Sequence, residues 1–159
     1  MSGSDQEMMN RRIYAALLAA GLLAGCSGAK TYPDTLPKNM RIRAETSKVR
    51  AELHIHRVGA NCLTEYQGTV QLDKPSVEVG IPPGRQSLVA FTFSSSSFLS
   101  GSSSSVRYDT LLTPRAGYTY DVKVSYLDNI YSVTVREIGP RGSSSREIER
   151  REPRACRAT

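Results

Sequence analysis

The chain lacks the motifs by which most enzymes and cofactor-binding proteins are recognised. It has no Cys-x-x-Cys pair, no glycine-rich phosphate loop and no Gly-x-Ser-x-Gly nucleophile motif among its 159 residues. It has only two histidines, so a Ser-His-Asp triad would have to use His54 or His56. The sequence therefore predicts a protein that is not an enzyme and that requires no cofactor.

Long apolar segments are absent as well. The apolar stretch at residues 13–25 would be about 20 Å long as a helix, whereas the hydrocarbon core of a bilayer is about 30 Å thick. Two arginines precede this stretch and small residues end it, as in a secretory signal peptide. We therefore predict that residues 1–25 are removed on export. The acidic residues ahead of the arginines fit poorly, which leaves Met1, Met8 and Met9 open as the true start.

The signal peptide ends in Leu23-Ala24-Gly25-Cys26. These residues resemble, position by position, the lipobox of bacterial lipoproteins. The resemblance implies cleavage before Cys26 and attachment of diacylglycerol and palmitate to that cysteine. Ser27 in the next position resembles lipoproteins that enteric bacteria sort to the outer membrane, so a periplasm-facing location is expected. The alternative is an ordinary signal peptide that ends in a cysteine by chance.

The three cysteines divide in the same way. An odd number is unusual in an oxidising compartment, and lipidation removes Cys26 from the count. Cys62 and Cys156 then remain as the one possible intrachain pair, in a compartment where disulfides persist. Such a bond would stabilise the fold by roughly 4 to 5 kcal/mol in the chain-entropy model. Two unpaired thiols, or bonds to another chain, are the alternatives.

Length and charge limit the domain count and the partners. The mature chain would have 134 residues, enough for one domain with a single core, and a net charge of +6. A basic protein beside a membrane can contact anionic lipid head groups or cell-wall polymers. We expect the membrane, through the lipid anchor, and an envelope protein as partners, and no nucleic acid. A solvated basic surface would explain the same charge.

Apolar and polar side chains alternate with period two along most of residues 40–138. The clearest runs, at residues 118–126 and 131–135, predict an antiparallel hairpin. Pro83-Gly84 predicts a type II turn in which Gly84 has a positive φ. Seven to eight strands in about 100 residues predict an all-β antiparallel sandwich of immunoglobulin-like or transthyretin-like kind, with a small barrel as the alternative.

Two segments carry a family resemblance. Ile-Pro-Pro-Gly-Arg at residues 81–85 lies between two predicted strands, and Ala-Gly-Tyr-Thr-Tyr at residues 116–120 opens the final hairpin. Both are similar to segments of small proteobacterial outer-membrane lipoproteins with a β-sandwich domain. The resemblance covers residues 49–138. It implies the sandwich fold and carries no activity over to this chain.

Composition divides the chain into four parts, which are the signal peptide at 1–25, a polar tether broken by two prolines at 26–39, the sandwich at 40–138 and an irregular tail of mixed charge at 139–159. We expect the tail to be a frayed helix or coil. A disulfide from Cys156 would hold it against the sandwich.

Two features of the sandwich could take part in binding. The serine-rich segment at residues 94–105 predicts a flexible loop, and Phe98 and Leu99 at its centre form an apolar pair that could contact a partner or fold back onto the core. His54 and His56 share one strand face, as zinc ligands can, but two ligands do not make a site. A solvated strand face explains the histidines equally well.

These observations predict a lipid-anchored, non-catalytic protein of the periplasmic envelope that acts as a structural or protein-interaction module. The alternative is a periplasmic lipoprotein that binds a metal or a small ligand on the face of His54 and His56.

Overall fold

The computed structural model describes residues 30–46, 49–96, 103–128 and 130–155. The predicted signal peptide and four of the candidate residues, Cys26, Phe98, Leu99 and Cys156, lie outside these ranges. What the sequence predicts for them remains a prediction.

Nine strands account for most of the described residues. They are β1 (Met40–Glu45), β2 (Arg50–Val58), β3 (Thr64–Gln71), β4 (Ser76–Val79), β5 (Ser87–Ser96), β6 (Ser103–Leu112), β7 (Thr119–Leu127), β8 (Ile130–Ile138) and β9 (Ser145–Ile148). Two single turns of 3₁₀ helix lie at Pro140–Gly142 and Pro153–Ala155.

The strands form two sheets packed face to face. The five-stranded sheet has the order β4-β1-β7-β8-β9, and the four-stranded sheet has the order β3-β2-β5-β6. Neighbouring strands are antiparallel except β1 and β7, which run parallel. The predicted all-β sandwich is confirmed. It has nine strands in the described residues instead of seven or eight, because the tail contributes β9.

Alternation along each strand places one of its sides in the core. Leu53 and Ile55 of β2, and Tyr120 and Val122 of β7, are each at most 1% exposed and belong to a single apolar cluster between the sheets. Full burial of an apolar side chain of this size contributes about 1.5–3 kcal/mol, so the pattern decides which side of each strand faces inward.

Both predicted turns are confirmed. β7 and β8 form the expected antiparallel hairpin, with Tyr126 paired to Tyr131 next to the turn. Gly84 has a φ of +72°, the conformation that the Pro-Gly pair predicts.

Residues 30–39, expected to be part of a free tether, pack onto the sandwich. Thr31 forms a parallel bridge with Thr69 of β3, and the Tyr32 N–H donates to the Thr69 carbonyl at 3.0 Å. The Tyr32 ring is 9% exposed, and its hydroxyl donates to the carbonyl of Gly80, just beyond β4, at 2.9 Å. These ten residues join the edges of both sheets, and we call them the N-terminal strap.

Two glycines make room for the N-terminal strap. A Cβ atom on Gly68 would lie 2.5 Å from the Cα of Tyr32, and one on Gly80 would lie 2.7 Å from the Cβ of Leu36. Gly68 also has a φ of +150°, which side chains rarely adopt. The strap approaches the sheets this closely because both positions lack a side chain.

Residues after β9 pack against β6, on the side of the sandwich away from the N-terminal strap. After β9, the Leu111 N–H of β6 donates to the Arg151 carbonyl at 2.8 Å, and the Arg151 N–H donates to Thr110 Oγ1 at 3.0 Å. We call residues 149–155 the C-terminal strap. The tail is therefore more ordered than the irregular segment that its composition predicts for residues 139–159.

A pairing of charges explains why β9 is a strand instead of a frayed helix. In the strand, Arg146 donates from Nε to the buried carboxylate of Glu137 on β8 at 2.9 Å. A helix would offer Arg146 only exposed neighbours along its own surface, and such pairs contribute about 0.2–0.5 kcal/mol.

The β5–β6 hairpin extends further into the serine-rich segment than the sequence predicts. Ser94 pairs with Ser105, and Ser96 pairs with Ser103. The predicted loop at residues 94–105 is thus shortened to the six residues between these strands, which include the positions of Phe98 and Leu99.

The connections between strands collect at two ends of the sandwich. Residues 59–63, 80–86, 113–118 and 139–144 lie at one end, where the Gly84 N–H donates to the Pro114 carbonyl at 2.7 Å. These four segments contain three arginines and no acidic residue, so we call this the basic end. Strands β1, β3, β5 and β7 finish at the other end of the sandwich, which we call the opposite end.

Replacing Gly68 by alanine should destabilise the protein by about 2–4 kcal/mol, since the new methyl group would both strain the backbone and press on the N-terminal strap. Gly84→Ala is the matched control. It also has a positive φ, but nothing lies within 4 Å of its Cβ position, so it should cost only about 1–2 kcal/mol. Urea unfolding measures both losses. Equal losses would mean that the strap does not press on Gly68.

Candidate functional site

The two histidines lie side by side on the outer face of the four-stranded sheet, as the period-two pattern predicts. His54 Nδ1 is 2.7 Å from Thr69 Oγ1 on β3, and His54 Nε2 is 3.5 Å from Glu52 Oε2. The ring of Tyr66, also on β3, lies 5.3 Å from the His56 ring between centroids. Both imidazoles therefore contact neighbours within the sheet.

Tyr66 connects this face to the N-terminal strap. Its hydroxyl is 2.5 Å from Thr69 Oγ1 and donates to the Lys30 carbonyl at 3.3 Å. One orientation satisfies every group, in which His54 Nδ1–H donates to Thr69 and the Thr69 hydroxyl donates to Tyr66. His54 thus belongs to a chain of hydrogen bonds that fastens the start of the strap.

The histidine face does not form a metal centre with its described neighbours. No group of three His, Cys, Asp or Glu side chains is placed to hold an ion anywhere in the described ranges. Burial lowers the pKa of His56, and Arg107 and His54 lower it further, while Asp109 acts in the opposite direction. Within the described part of the chain, the metal-binding alternative lacks the third ligand that it needs.

A buried carboxylate that the sequence analysis did not single out lies near the basic end. Glu137 on β8 is 4% exposed. The Tyr120 hydroxyl donates to it at 2.9 Å, Arg146 Nε donates at 2.9 Å, and Arg115 Nη1 lies 3.4 Å away. Burial alone would raise the pKa of Glu137, but the Tyr120 hydrogen bond and the positive charges of Arg146 and Arg115 outweigh it, and the pKa is lowered.

Tyr120 completes this cluster. Its oxygen accepts the Arg115 backbone N–H at 2.8 Å, and burial, more than any other cause, raises its pKa to about 12. The ionised carboxylate is therefore fully paired and links β7, β8, β9 and the connection before β7. A cluster satisfied in this way stabilises one arrangement of the basic end.

One signal in the sequence could have identified Glu137. Val133 and Val135 point inward from β8, and the alternation places residue 137 on the same side. A carboxylate at an inward position needs cationic partners, and arginines occur nearby in the chain at 115 and 146.

The outer face of the five-stranded sheet carries a shallow depression of about 500 Å³. Its charged groups are paired across strands, as Arg41 binds Glu78 at 2.9 Å and Arg43 binds Asp121 at 2.5 Å. Exposed pairs of this kind contribute about 0–1 kcal/mol each and are ordinary for a solvated sheet.

Exposed apolar side chains are concentrated at the two ends of the sandwich. Leu127 and Ile130 flank the β7–β8 turn at the opposite end and are 65% and 71% exposed. Leu63, in the connection after β2, is 69% exposed at the basic end. Sequence reasoning singled out none of the three as a contact residue, although an apolar residue in a tight turn has little to pack against.

The charges of the two ends differ. Arg85, Arg115 and Arg141 are the charged residues in the connections of the basic end. The connections of the opposite end contain two lysines and two aspartates, which cancel, at positions 48, 73, 74 and 128.

Comparisons with known proteins give only distant likeness, among solved structures. No protein-family model and no curated protein matches the chain. Among solved structures, it is similar to the crystal structure of sea bream transthyretin in complex with thyroxine, at 13% identity and a TM-score of 0.41, over 61% of this chain and 93% of that chain. Among the described residues, no helix has the length and apolar character needed to cross a membrane.

The raised pKa of Tyr120 predicts a loss of stability at alkaline pH. Because the folded protein holds this hydroxyl protonated, its contribution is complete below pH 10 and disappears as the pH rises through about 12. Tyr120→Phe should remove this part of the pH dependence and cost about 1.5–3 kcal/mol near neutral pH, the usual value of a hydrogen bond to a charged group.

Urea unfolding between pH 8 and pH 12 measures both effects. Tyr118→Phe is the control, since the Tyr118 ring stacks on the Arg115 guanidinium at 3.9 Å and its hydroxyl does not contact Glu137. An unchanged alkaline loss in Tyr120→Phe would contradict the assignment.

Proposed function

We propose that the protein is a lipid-anchored periplasmic protein of the outer membrane that acts as a non-catalytic interaction module. The lipobox ending at Cys26 supports the anchor. The observation that carries the rest is the position of the N-terminal strap, which starts at Lys30, only four residues after the predicted lipid. The sandwich is therefore held close to its anchor, and its opposite end is left to meet a partner.

The opposite end offers the contact surface that fits this role. Leu127 and Ile130 are exposed there, next to a core edge where the Phe93 ring lies 5.7 Å from Tyr126 and 5.6 Å from Tyr131 between centroids. β5 ends and β6 begins at this same end, and Phe98 and Leu99 lie between these two strands in the sequence. Apolar side chains presented together on connections are typical of protein-interaction sites.

We also propose that Cys156 forms a disulfide with Cys62. The C-terminal strap pairs with β6 in the direction of the basic end, where the Cys62 connection lies. Five residues separate Arg151 from Cys156, a reach of up to about 17 Å, whereas β6 and β2 are two strand spacings, about 10 Å, apart. Leu88 and Leu111 lie on the outer face of the sheet along this path. They are only 5% and 2% exposed, so other residues of the chain cover them.

Cys26→Ser should abolish lipidation. Cells that express the wild type should incorporate labelled palmitate into the protein and retain it in the outer-membrane fraction, whereas the Cys26→Ser variant should incorporate none and accumulate as uncleaved precursor. Cys62→Ser is the control and should keep the label. The intact mass of the wild type also tests the Cys62–Cys156 disulfide. If this bond is present, reduction to two thiols adds the mass of two hydrogens. Equal labelling of Cys26→Ser and wild type would exclude the anchor.

Photocrosslinking from the opposite end tests the interaction role. A crosslinking amino acid at position 125, on the outer face of β7, should yield a discrete adduct with an envelope protein in intact cells. Leu127→Ser with Ile130→Ser, or Phe98→Ser with Leu99→Ser, should reduce its yield at least fivefold. Leu63→Ser, at the basic end, should leave it unchanged. If all these variants give the same adduct as the wild type, the opposite end is not the contact surface.

A further inference from the structure

We propose that the basic end of the sandwich lies against the anionic head groups of the membrane that carries the lipid anchor. This inference rests on the proposed lipidation of Cys26. It goes beyond it by fixing which surface of the domain faces the bilayer.

The first argument is reach. Lys30 is tied to the sandwich, since its carbonyl accepts the Thr69 N–H at 2.8 Å and the Tyr66 hydroxyl at 3.3 Å. Cys26 is four residues earlier, and four extended residues span at most about 14 Å. The polar head-group layer on each side of the hydrocarbon core is itself about 5–7 Å thick. So short a link brings the domain to the membrane surface.

The second argument is direction. The bridge between Thr31 and Thr69 is parallel, so the strap enters running along β3 in the direction of that strand. β3 begins at the basic end, beside the connection at residues 59–63. Residues 30–32 therefore run away from the basic end. A link from Cys26 that continues this line leads to Lys30 from that end.

The third argument is charge. Arg85 and Arg141 are exposed, and neither forms an ion pair with any described residue. Arg115 is half exposed and shares Glu137 with Arg146. No acidic residue lies in the four connections of this end. A basic residue near an anionic surface increases binding by about fivefold, so two unpaired arginines favour this orientation by roughly 25-fold.

The exposed apolar residue at this end has a matching role. Leu63 is 69% exposed, in the connection next to the strand that carries Tyr66. An apolar side chain at an end that also carries cationic groups suits the boundary between head groups and acyl chains. At the opposite end the charges cancel, so Leu127 and Ile130 have no comparable attraction to an anionic surface.

The absence of tryptophan from the chain gives a direct test. Leu63→Trp and Leu127→Trp place single tryptophans at the two ends, at positions of similar exposure. The lipidated full-length product of each variant is reconstituted into vesicles of phosphatidylglycerol and phosphatidylethanolamine that contain lipids brominated near the head group. Quenching of tryptophan 63 should be at least threefold stronger than quenching of tryptophan 127.

Charge reversal separates electrostatic contact from chance proximity. In the Leu63→Trp protein, Arg85→Glu with Arg141→Glu should reduce quenching at least twofold in anionic vesicles and have no effect in phosphatidylcholine vesicles. Lys74→Glu, at the opposite end, is the control and should change nothing. Unchanged urea midpoints in these variants would confirm that they fold, as the exposure of all three positions predicts.

The outcomes distinguish this inference from the proposed function on which it rests. If the intact mass shows lipid on Cys26 and the two tryptophans are quenched equally, the orientation is wrong while the anchor stands. If the intact mass shows no lipid, the anchor fails and the inference falls with it. Stronger quenching at position 63 that is lost on charge reversal is the result we expect.

Discussion

The close contact between the N-terminal strap and two glycines is the constraint on which the rest of the structure depends. The strap can bridge the sheets only because Gly68 and Gly80 leave space for the backbone of Tyr32 and for Leu36. Once bridged, Tyr32 fills the open side of the sandwich between β3 and β4, and its hydroxyl finds a carbonyl partner inside. The same contact makes residues 30–39 part of the folded domain.

The two straps cover edge strands on opposite sides of the sandwich. The N-terminal strap covers part of the β3 edge, and the C-terminal strap covers part of the β6 edge through Thr110 and Leu111. Exposed edge strands invite pairing with other chains, and covering them is a common protection. With part of each of these edges covered, the two loop ends are the surfaces whose charges differ most, one cationic and the other with balanced charge.

Much of this fold could be predicted from the sequence, because period-two alternation reports directly on burial. It predicted seven to eight strands, the β7–β8 hairpin and the shared face of His54 and His56. It could not give the parallel pairing of β1 with β7, which is decided by tertiary packing instead of by any local turn. It missed the strap because a single buried tyrosine, Tyr32, lies among polar residues and prolines. β9 was missed because its stability comes from an ion pair between Arg146 and Glu137, and long-range charge pairs leave no periodic signal.

The central claim is that residues 30–32 are part of the folded domain. Hydrogen exchange of the backbone amides of Tyr32 and Thr69 tests it most directly, since both amides are hydrogen-bonded between strap and β3. If the claim is correct, both amides exchange as slowly as those of the central strands β2 and β7, which open only with the whole fold. If they exchange at the rate of an unstructured chain while β2 and β7 remain protected, the strap is a free tether and the account is wrong.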